Sequence, residues 1–374
     1  MRATKALIHL DNFRNNILAA RSISGGHPKI CVPVKANAYG HGAVDISRCA
    51  LESGAEYLGV ATVSEGEELR TAGITAPILL FAQAMPEEIP DIVSLDLIPF
   101  VFDLDFIRAL AKEAAKANKR LTVHLKVDTG MGRLGCPPNK AALIAAEIAA
   151  CKALVLGGVA THFAVSDSLA EDDVAYTKEQ LRRFQNALTL IREAGIKTGI
   201  IHAANSGGLV FHPESHFDMV RPGIFLYGYS PANGTSFASN SALAAKPVME
   251  LCSVVSVIKT VKKGDSISYG RTWIAEEDTV IATLPVGYAD GFPRRLSNAY
   301  SVQIRGKSYP LAGRICMDQC MVNLGSKTEV QLWDKVIIFG PDFVTAEDLA
   351  RKANSNPHEI TCDINKRVPR VYES

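Results

Sequence analysis

The sequence lacks the long apolar runs and the charge imbalance that mark membrane proteins and nucleic-acid-binding proteins. No run approaches the ~20 apolar residues that a membrane-spanning helix needs. The 40 Lys and Arg residues nearly equal the 39 Asp and Glu residues, so no long-range field recruits nucleic acid or an anionic membrane. The opening residues, MRATKALIHLDNF, are too polar and too short in apolar character for a signal peptide. These absences favour a cytoplasmic protein that binds neither nucleic acid nor membrane.

Cysteine is present, but not in a pattern that binds metal. The 8 cysteines are scattered along 374 residues. Cys316 and Cys320 stand too far apart for a CxxC motif and have no second pair. We therefore expect free thiols in a reducing compartment, and no metal site. Hydrophobic residues make up 47% of the chain, enough for a large core, and the length suits two domains.

The first two thirds of the chain alternates short apolar runs with amphipathic stretches such as 103–117, 137–151 and 172–194. Continuous apolar strands that alternate with helices are typical of a parallel sheet. Eight such units in about 230 residues match the size of a (β/α)8 barrel of the TIM type, which we favour over an open doubly wound sheet. The runs are 30–34, 57–62, 77–81, 97–102, 121–127, 154–161, 199–203 and 218–221.

The composition changes near residue 230, where the segment SPANGTSFASNSA reads as a loop between domains. Runs rich in β-branched residues then follow, separated by Gly and Asp turns, with one helical pattern near 345–353. This pattern predicts a mostly antiparallel β domain. We place the barrel at residues 1–236 and the C-terminal β domain at 237–374. The β-branched runs are 251–261, 279–286, 301–305 and 335–340.

Polar residues unusual for a barrel core follow one predicted strand after another. Catalytic groups of such barrels gather at the C-terminal ends of the strands. Each residue alone has an ordinary explanation, because a Lys or Arg beside a strand is usually a surface charge. Polar groups delivered by five strands to one mouth are harder to explain in that way. The residues are Lys35, His124, Lys126, Arg133, His162, Asn205, Ser206 and Arg221.

Two of these segments suggest a cofactor. Lys35 stands in VPVKANAYGHG, after an apolar strand and among small residues. A buried amine has a lowered pKa and reacts with carbonyls, which fits a Schiff base with pyridoxal phosphate. The segments NSGG (205–208) and RPGI (221–224) follow the last two strands, where barrels commonly bind phosphate. By itself, NSGG also fits an ordinary helix start capped by a polar side chain.

The order of these motifs resembles that of the bacterial alanine racemases. The resemblance extends from residue 32 to 370, over almost the entire chain. It implies a two-domain subunit that pairs head-to-tail in a homodimer with shared active sites, and a reaction that interconverts L- and D-alanine on pyridoxal phosphate. The similar segments are VKANAYGHG, DTGMGRLG, THFA, AANSGG, RPGIFLYG, SYG, GYADGFPRRL, GRICMDQ and RVPR.

The resemblance also implies a role for individual residues. Lys35 is similar to the lysine that holds the cofactor and acts as one base, and Tyr269 to the tyrosine that the partner subunit contributes as the other. Arg221 matches the arginine facing the pyridine nitrogen. Arg133 matches the residue beside the cofactor's phenolic oxygen and the substrate, and His162 the residue that links the ring region to the catalytic tyrosine. The phosphate-binding region corresponds to Tyr39, Asn205, Ser206, Gly223 and Ile224. The partner's substrate pocket and entrance correspond to Met317, Asp318 and Tyr288.

The chemistry explains why these groups are needed. Racemisation removes the Cα proton from one face and returns it to the other, so two opposed bases suit it. A free tyrosine has a pKa near ~10, and we expect positive charge on His162 and Arg221 to lower it. Because arginine stays charged, Arg221 would leave the pyridine nitrogen unprotonated and suppress transamination. In this family the lysine matching Lys126 is often carbamylated by CO₂, and the alternative is an ordinary lysine paired with an acid.

One position departs from the family pattern. Many members have a tyrosine where Lys366 stands. Because of this change, serine could be a secondary substrate, or the enzyme could accept a broader range of small amino acids. A decarboxylase of basic amino acids shares the architecture, but GRICMDQ and the tyrosine of SYG favour the racemase. A single-barrel protein that binds pyridoxal phosphate without catalysis would not need residues 240–374.

Overall fold

The chain folds as a parallel barrel joined to a mostly antiparallel β domain. The structure is a computed structural model and describes residues 2–232 and 245–374. This architecture confirms the expected fold class, a (β/α)8 barrel followed by a C-terminal β domain. The expected boundary between residues 236 and 237, and most of the loop around it, lie outside the described residues. The division into 1–236 and 237–374 therefore stays a prediction.

The first strand along the chain, β1 (Lys5–His9), does not belong to the barrel. Helix α1 (Leu10–Ile23) follows it and leads into an eight-stranded parallel sheet. Each apolar run expected to form a barrel strand overlaps one strand of this sheet. The barrel strands are β2 (Lys29–Pro33), β3 (Tyr57–Val60), β4 (Ile78–Leu80), β5 (Ile98–Val101), β6 (Leu121–Lys126), β7 (Leu154–Ala160), β8 (Ile200–His202) and β9 (Met219–Val220).

The ring closes between β8 and β9. The hydrogen-bonded order is β8-β7-β6-β5-β4-β3-β2-β9, with every neighbouring pair parallel. Backbone hydrogen bonds run from Asp218 N to Ile201 O at 3.0 Å and from Arg221 N to Ala204 O at 2.8 Å. Because all strands point the same way, their carboxyl ends open onto one face of the barrel.

Helices surround the barrel, and none in the described part of the chain is long and apolar enough to cross a membrane. Helix α6 illustrates how they form: Asp103 caps it by accepting a hydrogen bond from Phe106 N at 2.9 Å, and one face buries Phe106, Ile107 and Leu110. The short element α2 (Lys35–Tyr39) is a single turn with left-handed backbone at Ala36–Ala38. The helices are α3 (Ala43–Glu52), α4 (Val63–Thr71), α5 (Ile89–Ser94), α6 (Leu104–Lys116), α7 (Ala141–Ala150), α8 (Glu171–Glu193) and α9 (Ser206–Phe211).

Among the described residues, the second domain contains the remaining strands and two short α-helices. Its strands are β10 (Met249–Val254), β11 (Val257–Val261), β12 (Ser266–Ile267), β13 (Trp273–Ile274), β14 (Thr279–Leu284), β15 (Ser301–Ile304), β16 (Lys307–Pro310), β17 (Cys320–Gly325), β18 (Lys335–Phe339) and β19 (Arg370–Glu373). The helices are α10 (Ala346–Lys352) and α11 (Pro357–Cys362). They lie between β18 and β19, so that α11 directly precedes the C-terminal strand.

The apolar run 251–261 forms two strands in two different sheets. β10 lies in the six-stranded sheet β16-β15-β18-β10-β1-β19, whereas β11 pairs with β14 in a three-stranded sheet. Between them, Val255 N bonds to Asp334 O at 3.1 Å and Ser256 N to Thr283 O at 2.9 Å. The two hydrogen bonds join consecutive residues to different segments, one next to β18 and the other in β14. The chain therefore passes from one sheet to the other at this point.

The six-stranded sheet also ties the two ends of the chain together. β1 pairs antiparallel with β10 and parallel with β19. The N-terminal strand therefore belongs to the sheet of the second domain, although the barrel follows it in sequence. This pairing places the segment before β19, which includes α11, beside the mouth of the barrel.

We expect Asp103→Ala to lower the free energy of unfolding by about 1 kcal/mol, because the first turn of α6 loses its side-chain acceptor. Urea unfolding of the variant beside the wild type measures this change. Asp103→Asn is the matched control, since asparagine caps as well as aspartate. An equal loss in both variants would contradict the assignment of Asp103 as the cap.

Candidate active site

A cavity of about 490 Å³ lies at the carboxyl ends of the barrel strands. Most of the barrel residues predicted from the sequence as site residues line it. They come from the segments after β2, β6, β7, β8 and β9 and from the end of β6. The predicted residues in the wall are Lys35, Tyr39, Lys126, Arg133, His162, Asn205, Ser206, Arg221, Gly223 and Ile224.

Lys35 enters the cavity from the segment directly after β2. Burial lowers the pKa of its amine, and the positive charge of Arg133 lowers it further. Because less of the amine is protonated at a given pH, Lys35 is a better nucleophile and base than an exposed lysine.

An unusual backbone conformation follows this lysine. Ala36, Asn37, Ala38 and Tyr39 all have φ between 51° and 54°, in the left-handed region that costs residues other than glycine roughly 1–2 kcal/mol each. Glu65 accepts a hydrogen bond from Ala36 N at 2.6 Å. The turn brings the Tyr39 side chain back into the cavity that Lys35 enters.

Arg221 is a fully charged group inside the barrel, and every contact of its guanidinium is an acceptor. Its Nη1 donates to His202 Nδ1 at 2.8 Å, and its Nη2 donates to Thr161 O at 2.9 Å and Ala203 O at 3.1 Å. Burial lowers its pKa to about 10, so that Arg221 still carries its charge at neutral pH. His162 Nδ1 lies 3.4 Å from the same Nη2.

This charge keeps the neighbouring imidazoles neutral. Burial and then Arg221 hold the pKa of His162 well below its usual range, and the same two causes act in the same order on His202. His162 therefore supplies no positive charge at neutral pH, contrary to our expectation from the sequence.

Lys126 lies deeper in the same wall. Its side chain is only 5% exposed, and its Nζ donates to Val127 O at 3.2 Å. Burial and then the charge of Arg221 lower its pKa to about 7. A substantial fraction of this lysine is therefore an uncharged amine at neutral pH.

Another part of the cavity wall, around Ser206 and Gly223, leaves open space beside the start of α9. The Ser206 hydroxyl accepts hydrogen bonds from Gly223 N at 2.9 Å and Phe225 N at 3.2 Å, and Asn205 caps α9 through Gly208 N at 2.9 Å. A Cβ on Gly223 would lie 2.6 Å from the Tyr39 hydroxyl. Only glycine leaves this space open beside the first turn of α9, whose first N–H groups have no partner within the helix.

Several residues that line the cavity were not predicted from the sequence. Phe81 and Phe100 form an apolar wall, and His358 and Cys362 come from α11 of the second domain. The His358 ring packs against Tyr39, with centroids 5.6 Å apart. The sequence offered one signal, because α11 lies just before the RVPR motif that resembles the family. Only the pairing of β1 with β19 brings this part of the chain to the barrel mouth.

His124, which was also predicted at the barrel mouth, does not line the cavity and is buried inside the barrel. Four other predicted residues lie outside the cavity, on an exposed surface of the second domain that we call the distal cluster: Tyr269, Tyr288, Met317 and Asp318. The first three of these four are 71%, 41% and 53% exposed. Hydrogen bonds from Tyr288 N to Cys316 O and from Ala289 N to Met317 O, both 3.0 Å, join two of its segments. Arg367 holds Asp318 at 2.6 Å. The structure therefore gathers these residues with one another and not with Lys35 of the same chain.

Lys366, the position that departs from the family pattern, is exposed and does not line the cavity. The neighbouring Arg367 is instead engaged by two carboxylates, those of Asp290 and Asp318, each at 2.6 Å. The nearest wall of the cavity in this part of the chain is formed by α11.

Comparison with known proteins decides the family. The sequence profile of the alanine racemase N-terminal domain matches residues 8–231, and that of the alanine racemase C-terminal domain matches residues 248–372. The chain belongs to the alanine racemase family. The resemblance carried by the motifs is thereby confirmed. Within this family, the curated alanine racemase of Treponema denticola is 50% identical over 100% of this chain and 98% of its own length.

Solved structures of the alanine racemase family agree with the fold. The alanine racemase of D-cycloserine-producing Streptomyces lavendulae superposes with a TM-score of 0.92, at 36% identity over 100% of this chain and 98% of that one. The alanine racemase of Bacillus anthracis, solved with bound L-Ala-P, superposes with a TM-score of 0.91 at 33% identity, over 100% of this chain and 96% of that one.

We expect Lys35 to react with an amine-directed acylating reagent with a pH midpoint below ~10.4, the value of a free lysine. The reason is that burial and Arg133 both disfavour its protonated form. Peptide mass spectrometry of protein prepared without cofactor, labelled over a pH series, measures the midpoint. Arg133→Gln removes the nearby charge and should move the midpoint upward. A midpoint at or above that of a free lysine would contradict the description of this site.

Proposed function

We propose that the protein interconverts L- and D-alanine by moving the Cα proton between Lys35 of one subunit and Tyr269 of its partner, with pyridoxal phosphate as cofactor. The observation that carries the proposal is the half-built site: the cavity holds a buried amine and a buried guanidinium. The expected second base, Tyr269, is 71% exposed on another surface of the chain. Membership of the alanine racemase family supports alanine as the substrate.

The residues of the cavity fit pyridoxal phosphate. Ser206, Tyr39 and the first turn of α9 would hold the phosphate, in the space that a Cβ on Gly223 would fill. Arg221 would face the pyridine nitrogen and Lys35 the aldehyde. When bound, the cofactor supplies a conjugated system that stabilises negative charge on the α-carbon of an attached amino acid.

Lys35 and Tyr269 each transfer the Cα proton on one face of the substrate. The amine of Lys35 accepts or returns a proton at Nζ, and its lowered pKa leaves more of it in the basic form at a given pH than in a free lysine. The Tyr269 hydroxyl performs the reverse transfer on the other face. Two bases on opposite faces explain inversion without requiring a single group to cross the plane of the substrate.

Arg221 favours the return of the proton to the α-carbon. It donates through both Nη atoms and keeps its charge because its pKa stays near 10. A charged donor cannot accept a proton and disfavours one on the atom that it faces. Withdrawal of electrons from the α-carbon is therefore limited, which suppresses transamination.

The proposal requires a homodimer with shared active sites. The distal cluster would complete the partner's cavity: Met317 and Asp318 beside the substrate carboxylate with the partner's own Arg133, and Tyr288 at the entrance. We keep cytoplasmic localisation and the ranking of alanine over serine as parts of the proposal. No contact in the described residues favours a basic amino acid substrate.

Mixed dimers test the shared site. Lys35→Ala and Tyr269→Phe subunits, each inactive alone, are co-expressed with different tags and purified through both. One site of each mixed dimer then has both bases intact, so we expect about half of the wild-type racemase activity per dimer. The control pairs Lys35→Ala with Arg221→Ala, which damages both sites. Recovery in the control, or none in the first pair, would contradict the arrangement.

We further propose that CO₂ carbamylates Lys126, as the resemblance to the family suggests. The uncharged Nζ attacks the carbon of CO₂ and loses a proton to solvent, which leaves a carbamate anion. The pKa of about 7 makes the amine available at neutral pH, and Arg221 and Arg133 would stabilise the anion. The carbamate would then orient Arg133 toward the substrate.

Carbon NMR of protein equilibrated with ¹³C-bicarbonate tests this modification. We expect one carbamate signal that Lys126→Met abolishes. Since the amine is protonated below its pKa, the signal should decline as the pH falls below about 7. A signal that persists in the variant, or its absence at all pH values, would leave Lys126 as an ordinary buried lysine.

A further inference from the structure

The left-handed turn after Lys35 needs something to hold it. Its four residues from Ala36 to Tyr39 are not glycines, yet all lie at positive φ. They also connect Lys35 to Tyr39, which both line the cavity. A chain without an external constraint would leave this conformation, and the two side chains would then no longer face the same space.

His41 makes the contacts that such a constraint requires. Its imidazole is completely buried, and its Nδ1 lies 3.1 Å from Ala38 O and 2.9 Å from Tyr39 O. Both partners are carbonyl oxygens, so Nδ1 must carry the proton and donate. Burial lowers the pKa of His41 to about 4, and the ring is therefore neutral, with Nε2 unprotonated and without a hydrogen-bond partner.

A second ring holds His41 in place. The Tyr227 ring lies 4.7 Å from the His41 ring and 4.6 Å from the Tyr39 ring, measured between centroids. Its hydroxyl donates to Pro33 O at 2.8 Å, just before Lys35. Tyr227 therefore contacts the chain before the turn, through Pro33, and the end of the turn, through Tyr39 and His41.

The C-terminal segment closes the other side. Arg370 Nε donates to Gly40 O at 2.8 Å, and a Cβ on Gly42 would collide with the Tyr372 hydroxyl. The segment directly after the turn is therefore held on the side of the second domain. These contacts confine the turn, while His41 bonds directly to the carbonyls inside it.

We propose that His41 is a positioning residue: its Nδ1–H holds the left-handed turn, so that Lys35 and Tyr39 present their side chains to one cavity. It does not touch the reacting atoms. The part that concerns cofactor binding rests on the proposed function, whereas the part that concerns the turn and Lys35 does not.

Two substitutions separate the donor from the ring. His41→Asn keeps an N–H donor at the same distance from the backbone, and His41→Phe keeps a ring against Tyr227 but has no donor. We expect His41→Phe to weaken pyridoxal phosphate binding by about tenfold, because one hydrogen bond is lost. The same variant should shift the pH midpoint at which Lys35 is labelled. His41→Asn should stay within about threefold of the wild type. Absorbance titration of protein freed of cofactor measures the affinity.

A glycine substitution distinguishes a held turn from a general packing defect. Glycine adopts positive φ without the penalty that alanine has, so Ala38→Gly added to His41→Phe should recover part of the affinity. Asn118 is the matched control, because it also has positive φ, of 53°, but follows α6 on the exterior. Asn118→Gly added to His41→Phe should recover nothing.

The outcomes separate this inference from the proposed function. If the wild type binds no pyridoxal phosphate, the proposed cofactor is wrong, and the Lys35 labelling midpoint still tests His41. If the wild type binds pyridoxal phosphate, two results overturn the inference. One is that His41→Phe binds the cofactor equally well and leaves the Lys35 labelling midpoint unchanged. The other is that Ala38→Gly and Asn118→Gly restore the affinity of His41→Phe equally. If His41→Phe does not fold, nitrogen NMR of the wild type tests the inference instead. The His41 signals are assigned by their loss in His41→Asn. A protonated Nδ1 supports the inference, and an unprotonated Nδ1 overturns it.

Discussion

The buried charge of Arg221 is the constraint on which the rest of the site depends. A guanidinium inside a barrel is stable only when acceptors surround it, and here two carbonyls and the Nδ1 of His202 do so. That arrangement requires a neutral His202. His202 Nε2 then lies 2.8 Å from His124 Nδ1, which continues the hydrogen-bonded chain into the barrel. The charge thus decides which imidazole nitrogens carry protons and lowers the pKa of Lys126 as well as that of His162.

The barrel interior has space for the hydrogen-bonded side chains of Arg221, His202 and His124. The register between β6 and β7 shifts at Val123 and His124, and a Cβ on Gly158 would lie 2.7 Å from the His124 ring and 2.6 Å from Ile200 O. An alanine there would meet both the ring and the next strand. Glycine at position 158 therefore leaves the space that the His124 ring occupies in the barrel interior. Hydrogen bonding, and not only apolar packing, organises the centre of this barrel.

The predicted site residues of this chain lie on two separate surfaces. The cavity has an amine, a guanidinium and an open space beside Gly223 that a Cβ would fill. The distal cluster exposes two tyrosines and a methionine, and exposed apolar patches are typical of interaction surfaces. Asp290 explains how that exposed surface stays ordered: it is fully buried and accepts hydrogen bonds from Arg367 at 2.6 Å and Gly287 N at 2.9 Å. Arg367 extends the connection to Asp318. A rigid exposed surface of this kind suits the shared site proposed above.

Local patterns in the sequence were enough to predict the barrel strands, the family and ten residues of the cavity wall, because apolar period and short motifs depend on near neighbours along the chain. They could not reveal that β1 joins the sheet of the second domain, that the run 251–261 divides between two sheets, or that α11 brings His358 and Cys362 to the cavity. They also led to a wrong charge state for His162. Sheet partners, burial and electrostatic fields are set by residues distant in sequence, and only the tertiary structure brings those residues together.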